Sequence, residues 1–219
     1  MIYQDTKKYI SLYAILLFII PVITLLVCLK IHMLFYELDS IPFLDGKVSV
    51  SLIGRQEKTI VIFRTGLLFY AMISLLFYLN ISKFLLLKKV KNKFKILGFF
   101  ANFFLCIYLF SLGKQYFVYD EFRRISIILF IFIMYINHIY LIKVLNFLSF
   151  KKKIHLKPLY LKTLISIILL MTVLVIIGLP WVNPLFEYPN KLKNIIEWNL
   201  LFLTILFYVP IALVFRNLK

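Results

Sequence analysis

Long apolar runs, separated by short lysine-rich or mixed polar segments, recur along the whole chain. The runs Tyr9–Ile31, Ile60–Ile81, Ile96–Gly113, Ser126–Leu148, Thr163–Trp181 and Ile195–Phe215 meet or approach the length of a membrane span, roughly 20 helical residues for about 30 Å of hydrocarbon. Facing lipid they must be helices, because every backbone amide there needs a partner within its own segment. They lack the period-two alternation of a membrane barrel strand. The pattern predicts an all-α polytopic membrane protein, a single domain over residues 1–219 built as a bundle of six transmembrane helices. The first run follows Lys7 and Lys8 but is too long for a signal sequence, and it continues into HMLFYELDS without a small-residue cleavage site, so it is expected to stay as a membrane anchor.

Residues 38–59, between the first two runs, break the greasy pattern. Val48, Val50 and Leu52 alternate with Ser49 and Ser51, and Gly46 and Gly54 bracket them. That alternation predicts a short half-buried strand, a β-ribbon or similarly ordered loop capping one end of the bundle.

Composition agrees with lipid as the main solvent. Of 219 residues 63% are hydrophobic and the mean hydropathy is +0.96, more apolar surface than a soluble domain of this size can hide. The net charge of +17 is distributed unevenly. One set of loops receives Lys7 and Lys8, the cluster in KFLLLKKVKNKFK (83–95), the cluster in KKKIHLKPLYLK (151–162), and Arg216 with Lys219. The opposite set carries fewer basic residues and nearly all the acids, every one except Asp5. This predicts cytoplasmic termini, and a plasma or bacterial inner membrane rather than an organelle. Lysines between apolar runs face anionic headgroups, which removes nucleic acid as a partner. Cys28 and Cys106 lie inside apolar runs and read as small hydrophobes.

A few side chains do not belong in lipid. Arg64 lies about one turn inside the second run, and Glu197 starts the sixth, followed by Trp198. Both sit at similar depth below the outer face, so they are expected to approach each other as an ion pair, or to form a headgroup site, at the outer rim. The loop adds Asp39, Pro42, Asp45, Ser49 and Ser51. Asn137 and His138 fall near the middle of the fourth run, where such residues usually hydrogen-bond a neighbouring helix and a histidine can also relay protons. DEFRR, residues 120–124, reads as a charged outer turn. The three histidines, His32, His138 and His155, are spread over different depths and share no metal spacing. GxSxG, HExxH and paired intramembrane acids are absent, so no metal, cofactor or catalytic group is expected.

The outer loop with Pro42, Ser49, Ser51 and Gly54, the aromatic-basic pair Phe63–Arg64 opening the second run, and Glu197–Trp198 opening the last resemble the Frag/DRAM/Sfk family of six-span membrane proteins. That family includes a Golgi factor for GPI-anchor lipid remodelling, and related bacterial six-span proteins share the pattern. The Ile-Ser dipeptide usual after the proline is displaced to a later Ser-Val-Ser, and the late Asp-Phe of the last span is missing. The resemblance implies a non-catalytic lipid-handling or membrane-regulatory protein with a polar site at the outer end, its partners membrane lipids and a second membrane protein. Two other classes remain open: an intramembrane enzyme acting on a lipid with Asp39, Asp45, Glu197 or His138 as acid or base, and a small transporter with His138 as proton carrier.

Overall fold

The computed structural model describes residues 2–36, 41–114, 117–154, 156–178 and 189–218. Its helices are α1 (Ile2–Tyr36), α2 (Pro42–Asp45), α3 (Val50–Arg55), α4 (Ile60–Leu87), α5 (Phe94–Ser111), α6 (Phe117–Phe150), α7 (Pro158–Ile177), α8 (Pro189–Leu206) and α9 (Tyr208–Asn217). Six stretches are long and apolar enough to cross a membrane: α1, α4, α5, α6, α7, and α8 together with α9. The protein is therefore an all-α bundle of six spans, integral to a membrane.

The spans run up and down. α1 lies between α4 and α9, α5 between α4 and α6, and α7 against α6, α8 and α9. Close approach of α1 and α4 depends on Gly66, where a β-carbon would overlap the Thr24 side chain. Thr24 can sit in that crowded seam because its hydroxyl donates to Ile20 O at 2.8 Å within its own helix. A small residue facing a self-satisfied hydroxyl is the usual way for membrane helices to gain packing contact.

Several helices overrun the apolar runs. At 35 residues α1 is about 50 Å long, well beyond a hydrocarbon slab. The charged segment Asp120–Arg124 was expected as a turn and is instead part of the first turns of α6. Asp120–Arg123 and Glu121–Arg124 pair at i, i+3, at 2.8 and 3.3 Å, so the helix continues into water carrying its own counter-charges. The last span is one run, as expected, made of α8 and α9 with the backbone still helical at Phe207 and a local break in its hydrogen bonds there. Pro210 explains the break: it has no N–H for the Leu206 carbonyl and its ring crowds that carbonyl.

Both termini and both lysine clusters lie at one end. Lys7 Nζ donates to Leu218 O at 2.8 Å, the rings of Phe84 and Phe215 meet at 5.1 Å, and Asn217 reaches the Tyr160 hydroxyl at 2.9 Å. There α4 and α6 finish in the same manner. The amides of Lys89 and Val90 return to Leu86 and Leu85, and those of Lys152 and Lys153 to Ser149 and Leu148. These are Schellman caps with a lysine at the left-handed position, φ 57° at Lys89 and 53° at Lys152, where glycine is commoner. The caps are then knitted together: Lys88 Nζ donates to Lys153 O at 3.0 Å, and Lys153 Nζ to Lys88 O at 2.9 Å.

The opposite end is closed by residues 41–59. The expected β-ribbon is not there; the segment folds as the two short helices α2 and α3. Ser49 decides this locally. Its hydroxyl accepts the Leu52 amide at 3.1 Å as an N-cap, turning the following residues into a helix.

Candidate functional site

The cap is held by a single face of α8. Asn194, Glu197 and Trp198 are spaced i, i+3, i+4 and so share one side of the helix, with Asn199 beside them. Each reaches the backbone of the cap. Asn194 Nδ2 donates to Gly46 O at 2.9 Å, Trp198 Nε1 to Val48 O at 2.8 Å, and Asn199 Nδ2 to Phe43 O at 3.0 Å. Glu197 Oε1 accepts the Ser51 amide at 3.1 Å. Phe43 packs on the Trp198 ring at 5.1 Å and on Phe202 at 6.0 Å. Side chains from one helix thus satisfy cap carbonyls and an amide that the cap's own turns leave open.

The loop residues build the surface that α8 grips. Pro42 is buried at the first position of α2, where its missing N–H is no loss. Asp45 accepts the amides of Ile41 at 2.9 Å and Lys47 at 3.0 Å, tying α2 into a closed turn. Gly46 ends α2 at φ +60°, and a β-carbon there would overlap the Lys191 carbonyl oxygen of α8. Ser51 Oγ lies 3.2 Å from Ser49 Oγ, while its amide goes to Glu197. On the far side, His32 Nδ1 meets Gln56 Oε1 at 2.6 Å and Thr59 caps the Ile53 carbonyl, joining the cap to α1 and α4. Asp39 lies outside the described residues.

Arg64 and Glu197 occupy the same end of the bundle, as their depths required, but they form no ion pair. Arg64 Nε donates to Leu109 O at 3.0 Å and Nη2 donates to Leu112 O. The guanidinium therefore holds the last turn of α5, where carbonyls lack helical partners and the helix dipole is negative. Glu197 makes the complementary contact. Its carboxylate faces the first amides of α3, the positive end of that helix, and has no salt-bridge partner among the described residues. Two charges expected to neutralise each other are each neutralised by a helix terminus.

Beneath the cap is a narrow cavity of about 50 Å³. Val50 of α3 and Glu197 line it together with Pro21 of α1, Phe63, Leu67 and Tyr70 of α4, Leu105 and Tyr108 of α5, Phe130 of α6, and Leu201 and Thr204 of α8. Its walls are almost wholly apolar. The volume suits a few waters or the tip of one hydrocarbon chain.

Deeper lies a second polar group. Tyr78 Oη is 3.5 Å from Tyr208 Oη and 3.4 Å from Met134 Sδ, and Tyr70 is buried beside Phe130, ring centroids 6.5 Å apart. His138 stacks on Phe207, centroids 3.8 Å apart, at the break in the last span, with Tyr208 edge-on at 5.5 Å. Asn137 and His138 are 0% and 1% exposed. None of their side-chain nitrogens or oxygens meets a partner among the described residues. The expected interhelical hydrogen bonds are therefore not made.

The tyrosine cluster, Asn194 and Asn199 were not anticipated, whereas Gly46 ends a turn as its place in the loop predicted. The two asparagines had a readable signal, since NIIEWN gathers four polar or amphipathic side chains at the start of an apolar run. The tyrosines had none, because isolated tyrosines in apolar runs look the same whether they face lipid or each other. Comparison with protein-family models, with curated proteins and with solved structures finds no match for the chain.

Proposed function

We propose that this membrane protein binds a lipid at its capped end, seating the end of one hydrocarbon chain in the cavity below α3, and performs no chemistry on it. The carrying observation is that cavity: apolar walls drawn from five of the six spans, with a single carboxylate, Glu197, at its edge. A non-catalytic role is supported by the fate of the acids. Asp45 and Glu197 both accept backbone amides, which gives each of them a structural use. The reading agrees with the lipid-handling role implied by the Frag/DRAM/Sfk resemblance, which stays a proposal beside it. The test is Leu201→Trp, which fills the cavity and removes none of the hydrogen bonds between α8 and the cap. Native mass spectrometry of wild-type protein in mild detergent is expected to find a retained apolar molecule. Its occupancy should fall about tenfold in the variant, with the unfolding temperature nearly unchanged. Equal occupancy in both proteins, or none in the wild type, would count against the reading.

A proton-carrying role has one observation in its favour, the unpartnered His138 and Asn137 beside the break at Phe207. Buried polar atoms without partners cost about 1–3 kcal/mol each. His138→Leu is accordingly expected to raise stability by about 1 kcal/mol in a detergent unfolding assay, after the loss of the ring stack is counted. If the same variant abolishes proton-driven uptake in vesicles, the instability is being kept for transport. A destabilised variant would mean that the imidazole is satisfied after all.

A further inference from the structure

We infer that the lysine-rich end carries a site for the phosphate of an anionic phospholipid, in the groove between the start of α1 and the end of α9. The groove is remote from the cap and independent of the reading proposed for it. It is an open groove of about 490 Å³, within the size range of small-molecule sites. Lys7 and Lys8 of α1 and Arg216 of α9 line it, and no carboxylate does among the described residues. Lys7 is half-buried, with its ammonium anchored on Leu218 O at 2.8 Å, and Lys8 and Arg216 are exposed. Three cations from two helices thus converge on one concave space, and an arginine among them offers a fork that fits phosphate oxygens.

What makes the occupant a lipid rather than a free anion is the surface below. Lys8, Leu12 and Ile15 are spaced i, i+4, i+7 on one face of α1. Leu12 and Ile15 line the groove and are 46% and 40% exposed. The same stripe continues along α1 through Ile19, Ile23 and Leu26, each at least 39% exposed. A charged head site therefore opens directly onto an uninterrupted apolar track running into the membrane. Basic pockets between helices at this level are where acidic headgroups bind. A lipid held there would bridge the first and last spans, which already touch through Ser11 Oγ and Ala212 O at 3.0 Å.

The experiment titrates purified protein with phosphatidylglycerol and with phosphatidylcholine of the same chains, reading bound lipid by native mass spectrometry and the unfolding temperature in parallel. Lys8→Ala/Arg216→Ala removes two groove cations. Lys91→Ala/Lys95→Ala removes two exposed cations at the same end but outside the groove. Wild-type protein should prefer phosphatidylglycerol by about tenfold or more and gain stability from it. The groove variant should lose most of that preference and that gain, while the control keeps both. Equal losses in the two variants would reduce the effect to diffuse surface charge and overturn the site, as would a wild type without preference. Stabilisation by soluble glycerophosphate equal to that by the lipid would overturn the lipid assignment. Leu201→Trp should leave phosphatidylglycerol binding intact, so failure at one end is distinguishable from failure at the other.

Discussion

Trp198→Ala is expected to lower the stability of the purified protein by about 3–5 kcal/mol, the range for deleting a large buried aromatic, and to loosen the cap from α8. Trp198 is 2% exposed, its ring packs on Phe43 at 5.1 Å, and its indole N–H is bound to Val48 O at 2.8 Å. Alanine removes both the packing and the donor, leaving a cavity where the cap meets the helix and a carbonyl without its partner. Trp198→Phe separates the two effects. It keeps most of the ring volume and should cost about 1–2 kcal/mol, the penalty for stranding the Val48 carbonyl. Denaturant unfolding in detergent measures both. Labelling of a cysteine placed at the buried Val48, whose carbonyl contact to Trp198 does not depend on its side chain, measures the cap itself, and should speed up in the alanine variant well before the bundle unfolds. If Trp198→Ala stays within 1 kcal/mol of wild type, the cap is not fastened through this residue.

The contrast between what the chain announces and what it conceals follows from the range of the forces involved. Spans are legible because burial in lipid is dictated by composition over about 20 residues, a local property. Glu197 and Trp198 stood out for the same reason, as polar or amphipathic groups opening an apolar run. The cap's secondary structure was misread because Val48–Ser49–Val50–Ser51 satisfies two patterns at once. The valines are both buried, as a half-buried strand would have them. However, the same spacing lets Ser49 cap a helix, and an N-cap hydrogen bond with a grip from α8 outweighs β-propensity in so short a segment. Asp120–Arg124 was misread for a related reason: charge density marks exit from lipid, not the end of a helix. The partners of Arg64 and Glu197 were beyond reach. Depth could be counted from the sequence, but which helix terminus stands beside each charge depends on how the spans pack around one another.

The helix ends beside these two charges set the second large effect. Arg64→Ala is expected to destabilise the protein by about 2–4 kcal/mol, because it strands two carbonyls at the negative end of α5 and removes the cation that faces them. Arg64→Lys should recover only part of this, since one ammonium cannot span Leu109 O and Leu112 O as the fork does. Glu197→Gln is milder, about 1 kcal/mol, because the amide oxygen can still accept the Ser51 N–H while losing the charge assistance. The decisive measurement is the double-mutant cycle. Two charges bound to each other give a coupling of 1 kcal/mol or more, whereas charges bound to separate helix ends give additive losses within about 0.5 kcal/mol. Additivity is the expected result here. It would mean that Arg64 secures the turn after α5 and Glu197 the start of α3, two independent fastenings of one capped end. A strong coupling between Arg64 and Glu197 would instead bring the two side chains together, and the carboxylate at the edge of the cavity would then be half of an ion pair.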